Sequence, residues 1–324
     1  MLTFPRILTR HPLLLYRSTS RHQSTINRTI KLVEVGPRDG LQNEKTLVPT
    51  KLKVELVNKL SAAGIRHIEV TSFVNPKWVP QLADAAQVLQ LIERHPLTHY
   101  SVLVPNVQGL RSALTVKPDE VAVFTAASES FAKQNINCSI EDSIHRFEGV
   151  FDIAKAHGIP VRGYISCVLG CPYEGEVAPE SVAKVAELLW KKGCYEISLG
   201  DTIGSGTPEK MDALLSMLIN TVGSCPVEAI AVHCHETGGR ALENISVALD
   251  RHNVHVVDSA IGGLGGCPYA GPGAPGNVAT ESVVAHLIKK GYKFEGDLVL
   301  DSLNEIGSWI RKELVSLSSK RSSS

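Results

Sequence analysis

The sequence predicts an α/β chain folded as a (β/α)8 barrel, the TIM-barrel architecture, with extra helices at its C-terminal end. Three observations point there. From Thr29 onward, eight short apolar runs alternate with amphipathic stretches of helical period. Parallel neighbours need a crossover, so this alternation implies a parallel sheet, and eight units over about 260 residues match a closed barrel. The first run is followed by Gly36-Pro37-Arg38-Asp39-Gly40, not by the GxGxxG that would favour an open nucleotide-binding sheet.

Strands are predicted at 30–35, 67–71, 100–104, 120–124, 161–166, 196–199, 229–233 and 254–258. Their interiors are largely Val, Ile and Leu. Helices are predicted at 50–63, 77–93, 139–157, 179–192, 208–222, 240–251 and 277–289. One or two amphipathic helices then span 300–317. Ser139 with Asp142 reads as a capping box, and Pro179 and Pro208 suit a first helical turn. Gly64, Gly158 and Gly193 sit where helix ends take a left-handed residue.

Composition bounds the function. Lysine plus arginine (33) balances aspartate plus glutamate (33), which argues against nucleic acid or an anionic membrane as a general partner. No apolar run approaches the roughly 20 residues that span a bilayer. The seven cysteines are scattered without a CxxC pair, which fits a reducing compartment. Residues 1–28 carry Arg6, Arg10, Arg17, Arg21 and Arg28 with several Ser and Thr and no acidic residue. That is the composition of a mitochondrial transit peptide. The expected organisation is therefore a leader at 1–28, one catalytic barrel at 29–295, and a helical extension with a Ser-rich tail at 296–324.

Chemistry concentrates where the strands end, which is where barrel enzymes carry their sites. The first strand delivers Arg38 and Asp39, the second Glu69, the sixth Asp201. The seventh delivers His233 and His235, which face the same side of a strand while Cys234 faces the other. Asp39, the two imidazoles and the amide oxygen of Asn277 make an N/O donor set that suits Mg²⁺ or Mn²⁺. Zn²⁺ would prefer four ligands and often sulfur, which Cys267 offers. Arg38 cannot lose its proton, so its natural task is to hold a developing oxyanion, with Glu69 as salt-bridge partner and orienter. Cys267 lies among glycines at 262, 263, 265, 266, 271, 273 and 276, a composition that reads as a loop closing over a ligand. Its thiol is a candidate acid or nucleophile. The other cysteines read as buried apolar side chains.

Taken together these segments resemble the 3-hydroxy-3-methylglutaryl-CoA lyase family. The resemblance runs from Thr29 to Gly291 and is carried by the stretch Gly36-Pro37-Arg38-Asp39-Gly40-Leu41-Gln42-Asn43-Glu44, by Ser198-Leu199-Gly200-Asp201-Thr202, by His233-Cys234-His235, and by Gly263-Leu264-Gly265-Gly266-Cys267-Pro268-Tyr269. It implies the barrel fold and the cleavage of 3-hydroxy-3-methylglutaryl-CoA to acetyl-CoA and acetoacetate, as in leucine degradation and ketone-body formation. It also implies a divalent metal (Mg²⁺ or Mn²⁺) on Asp39, His233, His235 and Asn277. Arg38 then binds and polarises substrate, Cys267 is catalytic, and Glu69 and Asp201 are supporting acids. The base stays open among a histidine, Asp201 and water. An acyl-CoA substrate, a homodimer and a mitochondrial matrix location complete the implied picture. A condensing synthase of the same superfamily is the competing reading, although such proteins are usually longer.

Two departures stand out. Where the family usually continues with Asp-Thr-Tyr-Gly after the histidines, this chain has Glu236-Thr237-Gly238-Gly239. The loop before Leu264 reads Ala260-Ile261-Gly262-Gly263 where the family usually has Ser-x-Ala-Gly. Glycine in place of tyrosine at 238 leaves two readings: an opened pocket wall with tolerance of acyl groups larger than methyl at C3, or a gap filled by Tyr269 or the Glu236 loop with specificity unchanged.

Overall fold

A computed structural model describes residues 29–221, 225–265 and 276–322 of the 324. Eight parallel strands close on themselves: β1 (Thr29–Glu34), β2 (His67–Ser72), β3 (His99–Leu103), β4 (Glu120–Ala126), β5 (Val161–Ser166), β6 (Glu196–Asp201), β7 (Ile230–Cys234) and β8 (Val256–Ser259). Closure comes from β1 pairing with both β2 and β8, for example Val33 with His67 and Val33 with Asp258. A two-residue strand, β9 (Lys293–Phe294), adds to the free start of β1. The barrel expected from the sequence is the barrel found.

The helices are α1 (Thr50–Ala62), α2 (Ala85–Leu91), α3 (Val107–Leu114), α4 (Glu129–Ile136), α5 (Ile140–Ala156), α6 (Pro179–Lys192), α7 (Pro208–Asn220), α8 (Ala241–His252), α9 (Thr280–Lys289) and α10 (Leu300–Ser322). Ser139 caps α5 by accepting from the Asp142 amide, and Gly193 ends α6 at φ 107°, a conformation open to glycine and costly for other residues. The helix expected at 77–93 is shorter. Pro80 opens a single 3₁₀ turn (Pro80–Leu82) before α2, and the buried Gln81 ties this segment down. Gln81 accepts from the Val48 amide and donates to the carbonyls of Glu44 and Thr46. Two short helices absent from the sequence reading, α3 and α4, are each started by a side-chain cap, Asn106 and Ser128. The C-terminal segment is one helix. Leu303, Ile306, Ile310 and Leu314 form its buried stripe against α1, α9 and the turn Ile261–Gly263.

The apolar strand residues lie mostly in the layer between sheet and helices. The lumen is largely polar. Arg162 on β5 reaches Asp258 on β8, and Tyr164 on β5 reaches Glu69 on β2. These strands are not neighbours, so both contacts cross the barrel interior. No helix among the described residues is long and apolar enough to cross a membrane. Residues 1–28, read as a leader, lie outside the described residues.

Candidate active site

The chain leaves β1 through a tight backbone turn. The amides of Arg38, Asp39 and Gly40 all point to the Val35 carbonyl, at 3.1, 2.7 and 3.2 Å, closing one π-type turn. Such turns are uncommon and recur at functional sites. Close approach explains the glycines: a β-carbon on Gly36 would stand 2.6 Å from Glu34 Oε1, and one on Gly40 2.7 Å from Leu264 Cβ. The turn sets Arg38 and Asp39 next to each other on the wall of a cleft at the strand ends.

Arg38 is buried and doubly paired. Its Nε donates to Glu69 Oε2 at 2.7 Å and its Nη1 to Asp39 Oδ1 at 2.6 Å. Burial alone would disfavour its charge, but Glu69 and then Asp39 outweigh that and hold the guanidinium firmly ionised. The Tyr164 ring lies 5.5 Å from the guanidinium carbon. Glu69 is fully buried on β2 and also accepts from the Tyr164 hydroxyl at 3.2 Å. Its burial pushes the carboxyl up, and Arg38 offsets part of that. Glu69 therefore holds Arg38 in place from behind.

His233 is on β7 and His235 just beyond it, with their Nε2 atoms 3.3 Å apart. Cys234 between them is turned into the apolar core, as strand alternation requires. Asp39 Oδ2 faces His233 Nε2 at 3.9 Å. One ligand atom from each of Asp39, His233 and His235 lies within 4.8 Å of the others. Burial, then the neighbouring His233, lowers His235 to about 4, so near neutral pH its imidazole has a lone pair to offer. Burial raises the Asp39 carboxyl, but Arg38, the two histidines and the Asn277 amide outweigh it and hold it at about 2. An ionised carboxylate and facing imidazole nitrogens form a donor set that a divalent cation satisfies, so these residues fit the metal expected there.

Asn277 also reaches the site, through a backbone bridge to His235 and the Val278 amide bonded to Cys234 O. It stands as a donor. Its Nδ2 gives one hydrogen bond to Asp39 Oδ2 at 2.8 Å and one to Leu264 O at 3.2 Å. Offering the oxygen expected from the sequence requires the amide to turn over. Asp201 ends β6, and its carboxylate accepts from the amides of Ser205 and Gly206 at 3.2 and 3.0 Å. Burial raises it to about 6. Gly200 and Thr202 beside it line the cleft, while its own oxygens tie down the loop. Cys267 lies in 266–275, outside the described residues.

The sequence reading missed the rest of the wall. Gln42, Asn43, Leu103, Phe124, Phe131 and Tyr164 line the cleft with the residues above. The alternation Arg162-x-Tyr164-x-Ser166 along β5 was the available signal for Tyr164, since it places three polar residues on one strand face. Gly238 is not among the lining residues. Its amide donates to Gly204 O at 3.0 Å, and a β-carbon there would stand 2.6 Å from that same oxygen. The opened wall at 238 is therefore corrected: Thr237 and Gly238 pack on Gly204 in the loop after β6.

The profile of a family described as HMGL-like matches residues 29–310. The mitochondrial hydroxymethylglutaryl-CoA lyase of Rattus norvegicus is 52% identical over 311 residues, 96% of this chain and 93% of that protein. The cytoplasmic 3-hydroxy-3-methylglutaryl-CoA lyase of the same organism is 54% identical over 283 residues, 87% of this chain and 80% of that protein. The crystal structure of hydroxymethylglutaryl-CoA lyase from Pseudomonas aeruginosa superposes with a TM-score of 0.85 at 49% identity, covering 89% of this chain and 94% of that one.

Proposed function

The chain belongs to the HMGL-like family, and on that footing we propose that its cleft cleaves 3-hydroxy-3-methylglutaryl-CoA to acetyl-CoA and acetoacetate. The observation that carries the reading is the meeting of Arg38 with Asp39, His233 and His235 in one cleft. The protein is then a carbon–carbon lyase acting on an acyl-CoA.

The chemistry sets the roles. The C3 hydroxyl gives up its proton to a base, a histidine, Asp201 or water, and becomes the ketone of acetoacetate. The electron pair of the breaking C2–C3 bond passes to the thioester half as an enolate, which an acid then protonates at carbon. Arg38 has five N–H groups, of which Glu69 and Asp39 take one each, so its remaining donors serve a substrate oxyanion. A divalent cation held by Asp39, His233 and His235, Mg²⁺ or Mn²⁺ by its donor set, supplies Lewis-acid polarisation when bound. Asn277 steadies Asp39 and becomes a fourth ligand if its amide turns. Glu69 orients Arg38, and Asp201 holds the loop behind Thr202. Cys267 is the proposed acid for the acetyl-CoA carbon. Leu103, Phe124 and Tyr164 give the acyl group an apolar floor.

The acid-free, Arg-rich stretch at 1–28 and the mitochondrial relative support a mitochondrial matrix location, tested by fusing 1–28 to a reporter. A homodimer is proposed with it, and light scattering of purified protein reads it. The decisive test is to incubate the purified chain with 3-hydroxy-3-methylglutaryl-CoA and Mg²⁺ and assay acetoacetate. Product that appears with metal and vanishes with a chelator is expected. No product at saturating substrate and metal overturns the reading.

A further inference from the structure

From the lumen network we infer that Asp258 is the positioning residue for His233, fixing which imidazole nitrogen carries the proton and so which one faces the cation. Asp258 ends up between two demands. On one side it receives three donors: Arg162 Nη2 to Oδ1 at 2.7 Å, Arg162 Nη1 to Oδ2 at 3.1 Å, and Ser198 Oγ to Oδ2 at 2.7 Å. On the other side Oδ2 lies 3.3 Å from His233 Nδ1. Arginine in a protein stays protonated, so the carboxylate it grips is an acceptor, and the group facing it must donate.

His233 Nδ1 therefore carries the ring proton, and the lone pair is left on Nε2. That is the nitrogen that looks toward Asp39 Oδ2 and His235 Nε2. With the other tautomer a lone pair on Nδ1 would face the Asp258 carboxylate, which is repulsive, and Nε2 would have no lone pair to offer a cation. Tyr164 sets its ring edge-on against His233, at 86° and 6.3 Å between centroids, which helps hold the ring plane.

Arg162 makes the arrangement rigid. It is fully buried, and besides Asp258 it donates to Glu196 Oε1 at 2.6 Å and to the Tyr164 hydroxyl at 2.7 Å. Arg162 on β5 and Ser198 on β6 thereby fix Asp258 within the lumen. A carboxylate behind a ligating histidine fixes its tautomer and raises its basicity, and losing it typically weakens metal binding about 10–100-fold.

The inference rests on the cation reading of Asp39, His233 and His235, so the experiment separates the two. Mn²⁺ binding to the purified full chain is titrated by electron paramagnetic resonance, without substrate, for wild type, His235→Ala, Asp258→Asn and Ser198→Ala. Wild type is expected to bind and His235→Ala to bind poorly. Asp258→Asn is expected to weaken binding about 10–100-fold, with kcat partly regained at saturating Mn²⁺. Ser198→Ala, which removes only one hydrogen bond to Asp258, is expected to fall between. The wild-type tautomer is read by ¹⁵N NMR of histidine-labelled protein, with the His233 signals assigned by difference from His233→Gln. This reading stands whether or not Asp258→Asn folds. Failure of wild type to bind Mn²⁺ overturns the cation site itself. Wild-type binding with undiminished affinity in folded Asp258→Asn, or a proton on His233 Nε2 in the metal-free wild type, overturns the positioning role alone.

Discussion

Arg38 Nη1 lies 2.6 Å from Asp39 Oδ1, and the other oxygen of that carboxylate faces His233 Nε2 at 3.9 Å. Asp39 is thus shared between the guanidinium that would hold an oxyanion and the histidine that would hold a cation. Neighbours in sequence become the joint between two functions. The π-type turn is what allows adjacent residues to point into the same cleft.

Asp39→Asn and His235→Ala should both lose activity through the cation site. The first removes the negative charge of the donor set, the second one of its nitrogens. Excess Mn²⁺ should restore part of the activity, because mass action compensates for weakened binding. Activity assays across a Mn²⁺ series check this. Full wild-type activity in a strong chelator would rule the assignment out.

Arg38→Gln should lower turnover by about a thousand-fold or more, the usual loss when an oxyanion donor is removed. Arg38→Lys should recover little, because an ammonium cannot reproduce the forked contact to Glu69 and Asp39. Steady-state kinetics at saturating metal separate this from a binding defect. Turnover within a few-fold of wild type would make Arg38 a structural ion pair.

Cys267→Ala should remain folded and bind Mn²⁺ while losing turnover, and thiol alkylation should inactivate wild type. The two measurements are a Mn²⁺ titration and an alkylation time course. Full activity in Cys267→Ala would sink its role as acid, and inactivation of that variant by the alkylating agent would place the sensitive thiol elsewhere.

Glu34 gives a pH signature unrelated to the cleft. Its buried carboxylate accepts from the amides of Gly36 and Ile261 at 2.7 and 2.9 Å and from Thr280 Oγ1 at 2.6 Å, tying β1 to the segment after β8. Burial raises it from 4.5 to about 7, against those hydrogen bonds. In that window the folded chain binds more protons than the unfolded one, so stability falls as pH rises from 4.5 to 7. The contribution is about 3 kcal/mol at most by the linkage relation. Glu34→Gln should flatten the Tm profile between pH 5 and 8. An unchanged profile would place the titration elsewhere.

The fold was legible because β/α alternation is a long-range pattern written in every unit. Arg38, Asp39, His233 and His235 were legible because strand ends and strand alternation place them without any tertiary knowledge. The lumen was not. Arg162 and Asp258 are 96 residues apart and meet only because the barrel closes, and no local spacing announces that. Asn277 stands beside Asp39 as a brace, and which end of its amide faces that carboxylate depends on the Leu264 carbonyl beside it, a neighbour no local spacing announces. The short helices α3 and α4 carried caps, Asn106 and Ser128, yet too few turns to show a period.

Gly238 shows how a sequence departure changes meaning once its neighbours are known. Tyrosine at this position would be expected to wall the pocket, and its absence to widen specificity. In this chain the residue sits over the Gly204 carbonyl, and Thr237 crowds Gly204 from the other side: a β-carbon on Gly204 would meet Thr237 Cβ at 2.7 Å. The two loops are mutually fitted around two glycines. Gly238→Tyr must therefore push the loops apart before its ring can go anywhere, and overpacking of this kind costs about 1–3 kcal/mol. The expected result is a Tm lowered by roughly 2–10 °C, with the ratio of kcat/KM for C3-methyl and C3-extended acyl-CoA substrates unchanged. A thermal melt and paired kinetics decide it. A shifted substrate ratio at unchanged Tm would return Gly238 to the pocket wall.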